Sequence, residues 1–262
     1  MSSEPIVLFD LPSKAPCKCW SLNPWKSKSA WITRQNGLNI RTSKPSFKAS
    51  KHIIRSSINT SLAKSVSVSL PESSANYTIP TVRLPDGTYI MDSMEIANYI
   101  EEKNPSPSVH LDSPYVDKVV QLLKAAMEMG TGVRGVFFPL VPERLLNPPS
   151  VDYWMETRPK AIGKPLSELT DDERGGKAWE NVAKPIGELT RLLKENPEGP
   201  FFEGKTVTYA DFCWVGFLLF WQRIGDDVFQ KIISASGDAY DNDNVHLKLL
   251  EAVKPWAERN DH

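Results

Sequence analysis

Three side chains near the start of the chain could handle a thiol: Cys17, Cys19 and Ser21, in the run PCKCWSLNPWK. A thiol attacks electrophiles as its thiolate, and hydrogen-bond donors or a helix N-terminus lower its pKa. Ser21 comes just before Asn23-Pro24, where asparagine as N-cap and proline at the first helical position predict a helix start. The hydroxyl of Ser21 could donate to the sulfur of a bound thiol, whereas Cys17 or Cys19 could react directly. The residue pattern leaves both chemistries open.

A second polar pair, Asp92-Ser93, follows a predicted β-hairpin and opens a predicted helix. Residues 92–95 have the D-x-x-E form of a capping box. The N–H groups of a helix N-terminus suit a carboxylate, and the Asp92 side chain could pair with an ammonium group. The same residues also fit a plain helix cap that binds nothing. Likewise, Pro80 in the hairpin fits an ordinary trans proline of an edge strand.

The elements that must position these residues form a mixed α/β unit up to about residue 105. The apolar run IVLFDL after Pro5 predicts a strand, and Asp86-Gly87 predicts the turn of the hairpin. The helix after Asp92 places Ile96, Ala97 and Ile100 on one face.

Beyond residue 105 the apolar spacing is helical. One stripe follows Tyr115 and a second follows Trp179, whereas the Pro-, Arg- and Glu-rich residues 139–175 predict long loops and short helices. Residues 208–211 form a second capping box, ahead of the apolar run FCWVGFLLFWQRI, which predicts a buried core helix. We therefore expect its tryptophans, Trp214 and Trp221, to be core rather than a ligand box. A last short helix is predicted over 247–256.

This order of motifs resembles the glutathione S-transferases, and within them a fungal etherase-like subgroup related to bacterial β-etherases. Four features carry the resemblance: the Ile79-Pro80 step, Asp92-Ser93, the capping box at 208–211, and the run WSLNPWK at 20–26. The segment METRPKAIGKPLSELTDDER is also similar to the C-terminal domain of the subgroup. The resemblance implies a thioredoxin-like α/β N-terminal domain over residues 1–105 and an all-α C-terminal domain over 106–262.

The resemblance also implies roles for single residues. Ser21 would activate the glutathione thiol for attack on a small, aromatic electrophile, by conjugation or ether cleavage. Ile79 before Pro80 would offer its backbone to the cysteinyl part of glutathione, and Asp92 with Ser93 would hold the γ-glutamyl end. Asn23 and Lys26 are further candidates for binding glutathione. Two alternatives stay open: a non-catalytic glutathione-fold binding or regulatory protein, and a thiol transferase that uses Cys17 or Cys19.

Residues 27–75 depart from the pattern of the subgroup, because they give no clear helical stripe and no convincing second strand. Read in a shifted frame, Lys28–Pro45 can encode K-I-G-L-D-Y-T-A-E-W-T-E-Y-P-D-I-K, which resembles the helix end and second strand of the subgroup. We therefore hypothesise a frame error in the gene model over this segment, with a divergent insertion as the alternative. Such an error would place Lys, Arg and Ser on buried faces, so the chain as written could be inactive.

Composition narrows the remaining function classes. The formal net charge of −1 gives no electrostatic case for binding nucleic acid or an anionic membrane. No apolar run approaches the about 18 residues of a membrane-spanning helix. The three cysteines suit a reducing compartment, and the C-x-C pair with scattered histidines predicts no metal site. We expect a cytoplasmic protein, and the resemblance adds a possible homodimer.

Overall fold

The structure is a computed structural model that describes residues 5–9, 13–14, 40–43, 80–128, 132–238 and 240–257. Within these residues it contains one four-stranded sheet, nine α-helices and a 3₁₀ turn at Leu166–Glu168. The strands are β1 (Ile6–Phe9), β2 (Ile40–Ser43), β3 (Thr81–Arg83) and β4 (Tyr89–Met91). The helices are α1 (Ser93–Lys103), α2 (Pro114–Ala126), α3 (Arg134–Arg144), α4 (Pro148–Ile162), α5 (Asp171–Arg174), α6 (Gly176–Leu193), α7 (Tyr209–Ile224), α8 (Asp226–Ser234) and α9 (Val245–Ala257).

The sheet has the strand order β2-β1-β3-β4, with β1 parallel to β2 and antiparallel to β3. The predicted hairpin is confirmed: β3 and β4 pair antiparallel, and Leu84 N donates to Thr88 O across the turn at 2.7 Å. Gly87 takes φ 88° in this turn, a conformation that glycine adopts without steric cost. Because β3 lies between β1 and β4, Pro80 does not belong to an edge strand.

The strand β2 lies inside the segment for which the sequence predicts no convincing strand. Its backbone pairs in parallel with β1, from Ile6 opposite Ile40 to Phe9 opposite Ser43. Backbone pairing needs only one neighbouring strand, so a short strand can form without an alternating side-chain pattern. That prediction was therefore wrong for residues 40–43, while the rest of 27–75 lies outside the described residues.

The helix α1 packs its predicted face, Ile96, Ala97 and Ile100, into the protein interior. Asp92 is its N-cap, and the Oδ1 atom accepts a hydrogen bond from Met94 N at 2.8 Å. The predicted cap is thus confirmed, but the predicted capping box is not, because a capping box requires a bond from Glu95 N and the bond here comes from Met94 N, the second helical residue.

The C-terminal part is helical and is organised around α7. Trp214 and Trp221 are fully buried in α7, so the prediction of a core helix is confirmed. Helices α2, α3, α8 and α9 pack against it. Helix α6 packs mainly against α2, and its predicted apolar stripe supplies Val182, Ile186 and Leu189 to the same core. Val245–Ala257 confirms the predicted last helix.

The region 139–175 contains more helix than its composition predicts. Helix α3 continues through Pro139 and Pro142, and α4 spans 15 residues. In α4, Pro148 and Pro149 are tolerated because they occupy the first turn, where their missing N–H groups would have no intrahelical partner, whereas Pro159 lies inside the helix. In α3 the burial of Phe137, Phe138 and Val141 supplies the packing that offsets the lost backbone bonds.

The described residues contain no helix that is both long and apolar enough to cross a membrane. They also contain no group of three or more His, Cys, Asp or Glu side chains placed to hold a metal ion.

Candidate functional site

The predicted site residues that the structure describes lie together at one edge of the sheet, where the strands β1 and β4 end and β3 begins. Thr81 and Met91 form the last pair of the β3–β4 ladder, and Pro80 and Asp92 are their neighbours in the chain at this end. Phe9 pairs with Thr81, so β1 also ends at this edge. Four parts of the chain therefore lie close together here: the start of β3, the end of β4, the N-terminus of α1 and the end of β1. The loop that leaves β1 is the one that leads to Ser21.

Asp92 has an unusual backbone conformation at this edge, with φ 77° and ψ 135°. Such a conformation costs a non-glycine residue about 1–3 kcal/mol and persists only where the surroundings hold it. Here the Asp92 side chain accepts from Met94 N, and its carbonyl accepts from Ile96 N at 3.0 Å. Asp92 is exposed and Ser93 is half-buried. The turn thus presents a carboxylate, a hydroxyl and a helix N-terminus at one place.

A contact that the sequence did not predict ties this turn to the helical unit. The hydroxyl of Tyr209, the first residue of α7, donates to the carbonyl of Ser93 at 3.2 Å. The backbone N–H of Tyr209 donates to Val109 O at 2.7 Å, in the connection between α1 and α2. No local pattern predicts the first bond, because its partners are 116 positions apart.

The other predicted site residues lie outside the described residues: Ser21, Asn23, Lys26 and Ile79, together with Cys17 and Cys19. Their roles stay predictions. Part of the loop after β1 is described, however, at Ser13–Lys14. Lys14 N donates to Leu145 O at 2.8 Å and Ser13 forms a β-bridge with Leu146, so this part of the loop contacts the α3–α4 connection.

The third cysteine, Cys213, is not suited to nucleophilic chemistry. It lies in α7 as a free, buried thiol. Burial, followed by the nearby Asp211 carboxylate, raises the pKa of this thiol well above its ordinary value. Since only a thiolate reacts readily, Cys213 is a core residue.

The predicted capping box at the start of α7 is confirmed and is completely buried. Asp211 Oδ2 accepts from Thr208 N at 2.7 Å and from Thr208 Oγ1 at 2.9 Å, and its Oδ1 accepts from Phe202 N at 2.9 Å. Burial raises the pKa of Asp211 to about 6, against these bonds, which lower it. The box therefore sets the position from which Tyr209 reaches Ser93.

Comparisons with known proteins agree with this architecture. Residues 125–242 match the family model for the glutathione S-transferase C-terminal domain. The chain is 26% identical over 249 residues to the glutathione S-transferase-like protein ustS of Aspergillus flavus, covering 88% of this chain and 85% of that protein.

Solved structures extend the similarity over both units. A glutathione S-transferase of Ceriporiopsis subvermispora in complex with glutathione superposes with a TM-score of 0.74 at 22% identity, covering 97% of this chain and 98% of that one. Glutathione transferase GSTFuA3 of Phanerochaete chrysosporium gives 0.72 at 20% identity, with the same coverage. The chain therefore has the glutathione transferase fold, with a thioredoxin-like α/β N-terminal domain and an all-α C-terminal domain.

Proposed function

We propose that this chain is a glutathione transferase that binds glutathione at the sheet edge formed by Pro80, Asp92 and Ser93. The observation that carries the proposal is the Asp92–Ser93 turn, held at the N-terminus of α1 beside the start of β3. The match of residues 125–242 to the family's C-terminal domain supports it.

In this proposal the turn holds the γ-glutamyl end of glutathione. The hydroxyl of Ser93 and the N-terminus of α1 suit the carboxylate, since both supply hydrogen-bond donors. The carboxylate of Asp92 suits the ammonium group, and its exposure leaves it accessible. The backbone of Ile79, before Pro80, would bind the cysteinyl part.

The chemical step in this proposal belongs to Ser21. Its hydroxyl would donate to the glutathione sulfur and so favour the thiolate, which attacks the electrophile. Asn23 would begin the helix behind the loop, and Lys26 would bind the remaining carboxylate. We further propose a small aromatic electrophile and membership of the etherase-like subgroup, with ether cleavage or conjugation as the reaction. A cytoplasmic homodimer with domains over 1–105 and 106–262 completes the proposal.

The frame hypothesis for residues 27–75 also stays a prediction. The nucleotide sequence tests it: if the shifted frame does not encode E-W-x-E-Y-P-D-I, the hypothesis is wrong. A version of the chain with the corrected frame should then be compared with the chain as written in every assay below.

The binding proposal is tested by titrating glutathione calorimetrically into the wild type and into Ser93→Ala. A hydrogen bond to a charged group contributes about 1.5–3 kcal/mol, so the dissociation constant should rise at least about tenfold. Asp92→Asn should weaken binding as well, because it removes the charge but keeps an oxygen for the cap bond to Met94 N.

Ser113→Ala is the matched control. Ser113 caps α2 by accepting from Tyr115 N, so its loss affects a helix start but no proposed ligand contact. The proposal is wrong if the wild type does not bind glutathione, or if Ser93→Ala and Ser113→Ala bind it equally well. Activity with Ser21→Ala but not with Cys19→Ser would instead favour the cysteine-dependent thiol transferase.

A further inference from the structure

Hydrogen bonds connect both ends of α1 to the start of α7, and we call this set of bonds the α1 clamp. At the C-terminal end of α1, Glu101 Oε1 accepts from Ser108 Oγ and, at 3.1 Å, from Val109 N. Val109 O accepts from Tyr209 N. At the N-terminal end, Ser93 O accepts from the Tyr209 hydroxyl. The clamp thus links α1, the connection to α2 and the start of α7 by hydrogen bonds at both ends of α1.

Tyr209 is the residue through which the α1 clamp contacts the candidate glutathione site. Tyr209 as a whole residue is 1% exposed. Burial raises the pKa of Tyr209 far above its ordinary value, so the hydroxyl keeps its proton and acts as a donor. A buried hydroxyl that lost its acceptor would be costly, which favours the conformation in which Ser93 O stays in reach.

The backbone next to Ser93 needs such support. Asp92 has the unfavourable φ of 77°, and the cap bonds to Met94 N and Ile96 N come from within the same turn. The bond from Tyr209 comes from another element, so it fixes the turn relative to the rest of the protein. Residues in strained conformations persist when the surrounding structure holds them from several sides.

We propose that Tyr209 is a positioning residue whose hydroxyl, acting through Ser93 O, holds the Asp92–Ser93 turn in the conformation that binds the γ-glutamyl group of glutathione. This inference rests on the proposed function. Tyr209 touches no substrate; it makes the affinity for glutathione depend on how the helical unit is seated against α1.

The test is Tyr209→Phe, which removes the hydroxyl and keeps the buried ring. Loss of one neutral hydrogen bond corresponds to a rise of about 2- to 12-fold in the dissociation constant and KM for glutathione. The kcat at saturating glutathione should change little, because the bound complex still orders the turn. Hydrogen–deuterium exchange without ligand should become faster at residues 93–96 in the variant.

Tyr115→Phe is the control, since the Tyr115 hydroxyl bonds Glu195 and Asn196 inside the helical unit. It should leave the glutathione constants and the exchange of residues 93–96 unchanged. If wild type and Tyr209→Phe bind glutathione equally and exchange alike, the inference is overturned while the proposed function stands. If the wild type binds no glutathione, the proposed function fails and the inference fails with it. A general loss of stability is recognised by equal effects of both variants.

Discussion

The buried capping box at the start of α7 offers the sharpest test of the energetics. Asp211, Thr208 and Phe202 are all 0% exposed. Replacing Asp211 by alanine removes the acceptor of two backbone N–H groups, those of Phe202 and Thr208. Water cannot replace the acceptor at a site from which solvent is excluded.

The expected loss of folding stability follows from those two N–H groups. Each buried N–H left without an acceptor costs about 1–3 kcal/mol, so Asp211→Ala should lower the free energy of unfolding by about 2–6 kcal/mol. Asp211→Asn should cost less, about 1–3 kcal/mol, because its oxygen can still serve Thr208 while its NH₂ faces Phe202 N. Since whole domains are stable by about 5–15 kcal/mol, the alanine variant should be close to unfolding.

The assay is equilibrium urea unfolding followed by tryptophan fluorescence, which reports on all eight tryptophans of the chain, including Trp214 and Trp221 in the same helix. A different capping box, formed by Thr170 and Glu173 at the start of α5, is the matched control: Glu173 accepts from Thr170 N at 2.8 Å and from Thr170 Oγ1 at 2.9 Å. This box caps the short α5 and is partly open to water, which can take over the lost bonds. Glu173→Ala should therefore shift the unfolding midpoint much less. Equal shifts for the two alanine variants would refute the reasoning from burial.

Two further predictions concern the core around α7. Trp214 Nε1 donates to Nδ1 of His246 at 2.9 Å, and burial lowers the pKa of this ring to about 4, so it is neutral when folded. Because the unfolded ring titrates near 6.5, this stabilisation is complete above that pH and is lost as the pH falls toward 4. Relative to His246→Asn, the wild-type free energy of unfolding should drop by up to about 3 kcal/mol across this window, measured by urea unfolding at each pH. A parallel pH profile of the two proteins would contradict it. Separately, Trp221 Nε1 is buried without an acceptor in the described structure, whereas Trp214→Phe would leave His246 Nδ1 without its donor. Trp221→Phe should therefore lower the free energy of unfolding by about 1–3 kcal/mol less than Trp214→Phe. A lower melting temperature for Trp221→Phe than for Trp214→Phe would contradict this.

The features that local sequence predicted correctly share a short range. The turn at Asp86-Gly87, the cap at Asp92 and the box over 208–211 each involve residues at most four positions apart. Their conformations follow from residue types that have few alternatives at such positions. The buried stripe of α6 was predicted for the same reason, since its period of 3.6 is repeated over several turns.

The predictions that were wrong depend on tertiary contacts. Prolines at 139 and 142 argue against a helix, but packing of Phe137 against the rings of Phe220 and Trp221, whose centroids lie 5.2 and 5.9 Å away, stabilises α3 as a helix. The strand β2 exists through pairing with β1, and composition carries no sign of it. In both cases partners distant in sequence decide the local structure, and a local pattern cannot supply them.

The candidate site combines both kinds of information. Asp92 and Ser93 were predictable because they cap a helix that follows a hairpin. Tyr209 was not, although it lies between two residues of a recognisable capping box. The box requires only its own residues, so it could begin any helix; the contact with Ser93 requires that this helix begin beside α1. Because Tyr209 N also bonds Val109 O, the connection between the two units sets that position. The box orients the backbone at Thr208, the connection places it, and together they direct the hydroxyl of Tyr209 to Ser93. The helical unit is thereby in a position to control the conformation of the turn to which we assign glutathione binding.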